Sequence, residues 1–101
     1  MSIEQIHNYY ERLVLDEAVR RARELPNVTS DMVADMVCLA LNRLPARYVR
    51  HDVDLVFYLT ETERHQSDTA LLAALDYAEK LVLSRSAKTD NGGANATRNA
   101  V

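Results

Sequence analysis

The sequence contains almost no glycine, proline or cysteine, and it contains no tryptophan. Its two glycines, Gly92 and Gly93, lie near the carboxyl end, so residues 1–84 contain none. This excludes the glycine-rich loops with which Walker and dinucleotide-binding motifs hold phosphates. The single cysteine, Cys38, excludes an internal disulfide and indicates a reducing compartment. We interpret Cys38 as a small buried apolar residue, because no base is spaced to activate its thiol.

The sequence also lacks a strong charge of either sign and a long hydrophobic run. A net charge of −3 argues against a general DNA-binding or membrane-binding surface. No apolar stretch approaches the ~20 residues that span a bilayer, and the amino terminus does not resemble a signal peptide. We therefore expect a cytoplasmic protein, with neither a membrane nor nucleic acid as its partner. A chain of 101 residues, 48% of them hydrophobic, forms one small domain that self-association would help to stabilise.

Apolar residues at spacings of three and four predict three helices. The first starts at Ser2 or Ile3 and ends near Glu24, the second covers about residues 30–44, and the third covers about residues 69–83. The expected amino-terminal caps are Ser2 for the first helix, Thr29 or Ser30 for the second, and Ser67 or Asp68 for the third. The apolar stretch Met36–Leu41 indicates that the second helix is the central buried one. Tyr9, Leu15 and Val19 widen the apolar face of the first helix and predict a second contact surface there.

Residues 51–60 follow a different pattern, in which apolar and other residues alternate. Such a period of two, rich in branched and aromatic residues, is typical of a β-strand. Because a lone strand leaves its backbone groups unpaired, we expect it to pair with the same strand of another copy; helical packing of this stretch is the alternative. The predicted fold is mainly α, with three helices and one strand-like segment that pairs across a homodimer. Residues 1–84 form the domain, and the polar residues 85–101 are expected to be a disordered tail.

Residues 36–51 contain no carboxylate but three arginines. These are Arg43, Arg47 and Arg50. Pro45 ends the second helix inside this stretch, because its ring pushes the preceding residue out of the α region. Guanidinium groups match phosphate or carboxylate oxygens in a two-pronged geometry, and Tyr48 can stack on a base or pack. The alternative interpretation is that these arginines are ordinary surface charges, paired with Glu11, Asp35 or Asp52.

Four segments, in this order and spacing, resemble the late competence development protein family, ComFB. They are Asn8–Val14, Asp35–Asn42, Leu44–Val49 and the strand-like stretch that follows. Members of that family are small, mainly helical bacterial homodimers, and some are receptors for cyclic dinucleotides, above all cyclic di-GMP. The resemblance implies a non-enzymatic receptor for cyclic di-GMP, or cyclic di-AMP, that signals to an unidentified protein partner. A dimeric adaptor that binds only protein is the alternative, and a nucleic-acid-binding regulator comes third.

A cyclic di-GMP receptor needs guanidinium groups for phosphates or guanine edges, a carboxylate for the guanine N–H donors, and a stacking surface. The candidate ligand-binding residues are Arg43, Arg47, Tyr48, Arg50, Asp52, Asp54, Asn8 and Glu11. For Asn8 and Glu11 we favour a structural role, hydrogen-bonding to the backbone around residues 44–47. Other family members hold zinc with a cysteine cluster. Because this sequence has only Cys38 in that region, we expect neither a metal nor another cofactor.

Overall fold

The computed structural model describes residues 5–51 and 59–92, with side chains up to residue 86. In chain order the elements are β1 (His7–Asn8), α1 (Tyr10–Arg23), α2 (Ser30–Arg43), β2 (Tyr48–Val49) and α3 (Glu61–Gly92). The two short strands pair antiparallel to each other. The described part of the chain is therefore mainly α with three helices, which confirms the predicted fold class.

The amino-terminal part of the chain differs from the prediction, because a strand precedes the first helix. His7 pairs with Val49 and Asn8 pairs with Tyr48, and α1 then begins at Tyr10. The expected continuous helix from residue 2 or 3 is therefore wrong, and residues 1–4 lie outside the described residues. Two-residue strands leave no period in the sequence, since their pairing depends on the distant β2.

The second helix begins and ends where local chemistry predicts. The Thr29 hydroxyl accepts a hydrogen bond from the Met32 N–H at 3.1 Å, which satisfies a free donor of the first turn. At the other end, Leu44 has φ −102° and ψ 140°, an extended conformation. Pro45 enforces this change, because its ring disfavours the α region for the residue before it.

The third helix begins earlier than predicted, at a reciprocal cap. The Thr60 hydroxyl accepts a hydrogen bond from the Glu63 N–H at 3.0 Å, and the Glu63 carboxylate accepts one from the Thr60 N–H at 2.9 Å. This exchange satisfies two backbone donors at the start of α3. Ser67 and Asp68, the expected caps, lie inside the helix, so that prediction is wrong.

The two segments predicted to be non-helical fall largely outside the described residues. Residues 52–58, most of the predicted strand, are among these, so the strand and its pairing across a homodimer remain predictions. The expected tail started at residue 85, whereas α3 continues to Gly92, so residues 85–92 are helical. Residues 93–101 lie beyond the described part of the chain. Within residues 5–51 and 59–92, no helix has the length and apolar character needed to cross a bilayer.

The core lies where α2 packs against both α1 and α3. Its buried side chains are Tyr10, Val14, Ala18, Met36, Ala40, Leu44, Leu71, Ala74, Leu75, Ala78 and Val82. The central position predicted for the second helix is therefore confirmed. However, Cys38 is exposed, which contradicts its expected burial. Met36 and Ala40 are one helical turn apart and face the core, whereas Cys38 lies between them on another side of α2.

An ion cluster also joins α1 to α3. The Arg21 guanidinium, whose side chain is only 12% exposed, contacts Glu17 at 3.0 Å, Asp76 at 2.9 Å and Glu79 at 3.2 Å. Arg20 adds a second contact to Glu17 at 2.9 Å. Hydrogen bonds from Arg20 and then Arg21 outweigh the opposing effect of burial and lower the pKa of Glu17 from 4.5 to about 2. The cluster fixes how α3 lies against the first helix.

Candidate functional site

The turn that follows α2 is fastened to the entry of α1 by Asn8. The Asn8 side-chain oxygen accepts hydrogen bonds from the Arg47 N–H at 3.1 Å and from the Tyr10 N–H at 3.2 Å. The Tyr9 N–H in turn donates to the Arg47 carbonyl at 2.6 Å. Both backbone polar groups of Arg47 are therefore fixed against the start of α1. This confirms the structural role favoured for Asn8.

Glu11 does not share that role. Its side chain is exposed and makes no hydrogen bond or ion pair with any other described residue, so the expected bond to the backbone around residues 44–47 is wrong. Asn8 and Glu11 also do not belong to one helix face, because Asn8 lies in β1. Glu11 instead lines two surface depressions on α1, one shared with His7 and Arg12 and one that opens toward α2.

The three arginines of the carboxylate-free stretch have different surroundings. The Arg43 guanidinium carbon lies 3.9 Å from the centre of the Tyr77 ring on α3, a cation–π contact that joins the end of α2 to α3. Arg47 and Arg50 flank β2 and are exposed. Neither of their guanidiniums makes an ion pair or hydrogen bond with another described residue. Arg43 thus has a structural partner, while Arg47 and Arg50 face solvent without one in the described part of the chain.

Tyr48 lies between these two arginines and is 69% exposed, more than any other large apolar side chain described. Its neighbour Val49 is half-buried, so β2 turns Tyr48 outward, as alternation along an extended chain requires. An aromatic ring in this position offers a face for stacking. Asp52 and Asp54, the predicted carboxylates of the site, lie outside the described residues and remain predictions. We call Arg47, Tyr48 and Arg50 the β2 patch.

A second surface feature is an apolar groove between α1 and α2, with a volume of about 610 Å³. Its apolar lining comes from Leu15, Val19, Val33, Val37 and Leu41. Leu15 and Val19 are the residues that predicted a second contact surface on the first helix. The contribution of α2 was not predicted, because an apolar run on one helix does not reveal which of its sides a neighbour covers. Cys38 also lines this groove, which explains its exposure.

Among residues 5–51 and 59–92, no three histidine, cysteine or carboxylate side chains are grouped closely enough to hold a metal ion. The chain as described is a small three-helix protein with a two-strand ladder tying its β2 patch to the first helix. The family model of the late competence development protein ComFB matches residues 7–86, from β1 well into α3. The chain belongs to the ComFB family. Comparison with curated proteins and with solved structures gives no significant match.

Proposed function

We propose that this protein is a non-enzymatic receptor for cyclic dinucleotides, with cyclic di-GMP as the first ligand and cyclic di-AMP as the second to be tested. The ligand state would pass to a protein partner. Membership of the ComFB family supports this role. The observation that carries the proposal is the β2 patch, where two unpaired guanidiniums flank an exposed tyrosine ring in the described part of the chain.

Each group of the β2 patch has a counterpart on the ligand. Arg47 and Arg50 suit the two phosphates or the O6/N7 edge of guanine, because a guanidinium donates two parallel hydrogen bonds. Tyr48 suits a guanine face, a contact worth ~1–3 kcal/mol per base in other nucleotide-binding proteins. Asp52 or Asp54 would accept hydrogen bonds from the guanine N1 and N2 donors. Two-fold pairing of the protein would present the set twice, which suits a two-fold ligand.

The backbone of the β2 patch is already fixed, and this favours binding. Both backbone polar groups of Arg47 are bonded to the entry of α1, so the ligand would not have to order this segment. Asn8 is therefore a positioning residue in this proposal. Arg43 is assigned to the contact with Tyr77, and we expect it to contribute less to the ligand than Arg47 or Arg50.

Titration calorimetry on arginine variants tests this assignment. Arg47→Ala and Arg50→Ala should each weaken binding of cyclic di-GMP by roughly 1–3 kcal/mol, or about 5- to 150-fold, the range for losing a charge-assisted contact. Arg64→Ala is the matched control, because Arg64 is an exposed arginine of α3 whose side chain has no partner among the described residues. Its affinity should stay within about twofold of the wild type. Unchanged affinity in both patch variants would assign the ligand to another surface.

The apolar groove favours a second candidate function, a dimeric adaptor that binds only protein. In that case no cyclic dinucleotide would bind, and the β2 patch would dock an acidic partner helix. Arg47→Glu and Arg50→Glu would then abolish pull-down of the partner. Calorimetric binding of a cyclic dinucleotide, lost in these same variants, would reject the adaptor and support the receptor.

A further inference from the structure

The groove between α1 and α2 is an apolar face that no described part of the chain covers. Leu15, with its side chain 44% exposed, and Val19 are one turn apart on α1. Val33, Val37 and Leu41 form the facing stripe on α2. Each helix therefore carries a second apolar stripe in addition to the one that faces the core. A continuous apolar face of this kind on a small protein marks a contact surface.

The flanks of this face carry opposite charges. Beyond the apolar stripe, α1 presents Arg12 and Arg23, and α2 presents Asp31 and Asp35. All four side chains are exposed, and none makes an ion pair with another described residue. A face with one basic flank and one acidic flank is complementary to itself after a two-fold rotation.

Two face-to-face arrangements of such a pair are possible, and the charges distinguish them. If the two-fold axis runs across the helices, each helix lies over its own copy, and the acidic flank of α2 faces itself. If the axis runs along the helices, α1 of one protomer lies antiparallel over α2 of its partner. In the second arrangement Arg23, at the end of α1, meets the acidic start of α2 near Asp31. Charge repulsion disfavours the first arrangement, and charge attraction favours the second.

We propose that this face binds a second copy of the chain, with α1 of each protomer lying antiparallel over α2 of the other. Leu15 and Val37 lie near the middle of the contact, and Arg23 pairs with an acidic residue at the start of the opposite α2. Cys38 becomes covered, because it lines the groove that the second copy fills. The inference names the face of the dimer that the proposed function uses. It needs no property of the ligand, so each proposal can fail without the other.

Sedimentation velocity on the full chain, from about 1 µM to about 200 µM, tests the face. The wild type should become dimeric within this range, and Leu15→Lys should remain monomeric. Leu72→Lys is the matched control, because Leu72 is 45% exposed but lies on α3, outside the groove. It should dimerise like the wild type. A wild type that stays monomeric throughout would assign the groove to a different occupant, and dimerisation of Leu15→Lys would reject this face.

Charge exchange tests the arrangement and also excludes misfolding as the explanation. Arg23→Asp and Asp31→Arg should each weaken the dimer at least about fivefold, because each places like charges opposite each other. The double variant exchanges the two signs and should recover most of the affinity. A double variant as weak as the combined single variants would reject the antiparallel placement of α1 over α2.

The native Cys38 thiol gives an independent readout on the unmodified protein. Cys38 is exposed in the single chain, so a maleimide should label it rapidly at low protein concentration. At concentrations where sedimentation reports the dimer, the labelling rate should fall at least about fivefold, in proportion to the monomer that remains. A constant labelling rate across a measured monomer–dimer transition would show that the copies meet on another face.

Discussion

Asn8→Ala removes the acceptor that ties the turn after α2 to the first helix. The Asn8 oxygen receives the Tyr10 N–H at 3.2 Å and the Arg47 N–H at 3.1 Å, and alanine accepts neither. Losing the bond to the first turn of a helix costs about 1 kcal/mol. The Arg47 N–H adds about 1 kcal/mol, the low end for an unsatisfied donor, since Asn8 is only half-buried and water reaches the site. The expected loss in free energy of unfolding is therefore about 2 kcal/mol.

Urea unfolding and thermal melting measure this loss. For a domain of this size, about 2 kcal/mol corresponds to a fall in Tm of about 8–16 °C. Asn42→Ala is the matched control, because Asn42 is exposed and its side chain makes no hydrogen bond within the described residues, so it should cost less than about 0.5 kcal/mol. Asn8→Asp keeps an acceptor and should recover most of the stability. Equal stability of the two alanine variants, or no recovery with aspartate, would refute the role given to Asn8.

Three further predictions concern the contacts between helices. Arg21→Ala should lower the free energy of unfolding by about 1–2 kcal/mol, because a largely buried guanidinium loses three partly solvated carboxylates; a loss below about 0.5 kcal/mol would contradict this. The lowered pKa of Glu17, about 2 against an ordinary 4.5, means that its bonds stabilise the fold above about pH 4.5 and are lost as the pH falls toward 2. Acid titration of stability should therefore be shallower in Glu17→Gln, and an unchanged profile would reject the cause assigned. Tyr77→Leu should cost about 0.5–1 kcal/mol more than Tyr77→Phe in urea unfolding, because only phenylalanine keeps the ring under Arg43.

Local chemistry made much of this fold predictable from the sequence. The three helices follow from their apolar periods, and both ends of α2 follow from single residues, Thr29 as the cap and Pro45 as the stop. The start of α3 was also readable. Thr60 and Glu63 have the spacing of a reciprocal cap, but the polar sequence around them favoured a linker.

Features that depend on distant contacts could not be predicted in the same way. The β1–β2 ladder joins residues 39 positions apart through the oxygen of Asn8 and two short strands, and it leaves no periodic signal. The contact of Arg43 with Tyr77 depends on where α3 docks, so the sequence alone left Arg43 equivalent to the other two arginines. Cys38 was misjudged for a related reason, since an apolar run does not show which side of a helix its neighbours cover.

Titration calorimetry of the wild-type protein with cyclic di-GMP and, separately, cyclic di-AMP at physiological salt tests the central claim most directly. If Arg47 and Arg50 form a site for a dianionic nucleotide, at least one ligand should give saturable heat, and its affinity should fall as the salt concentration rises, because both arginines then contact phosphate. Absence of heat with both ligands at tens of micromolar protein would contradict the proposed receptor function.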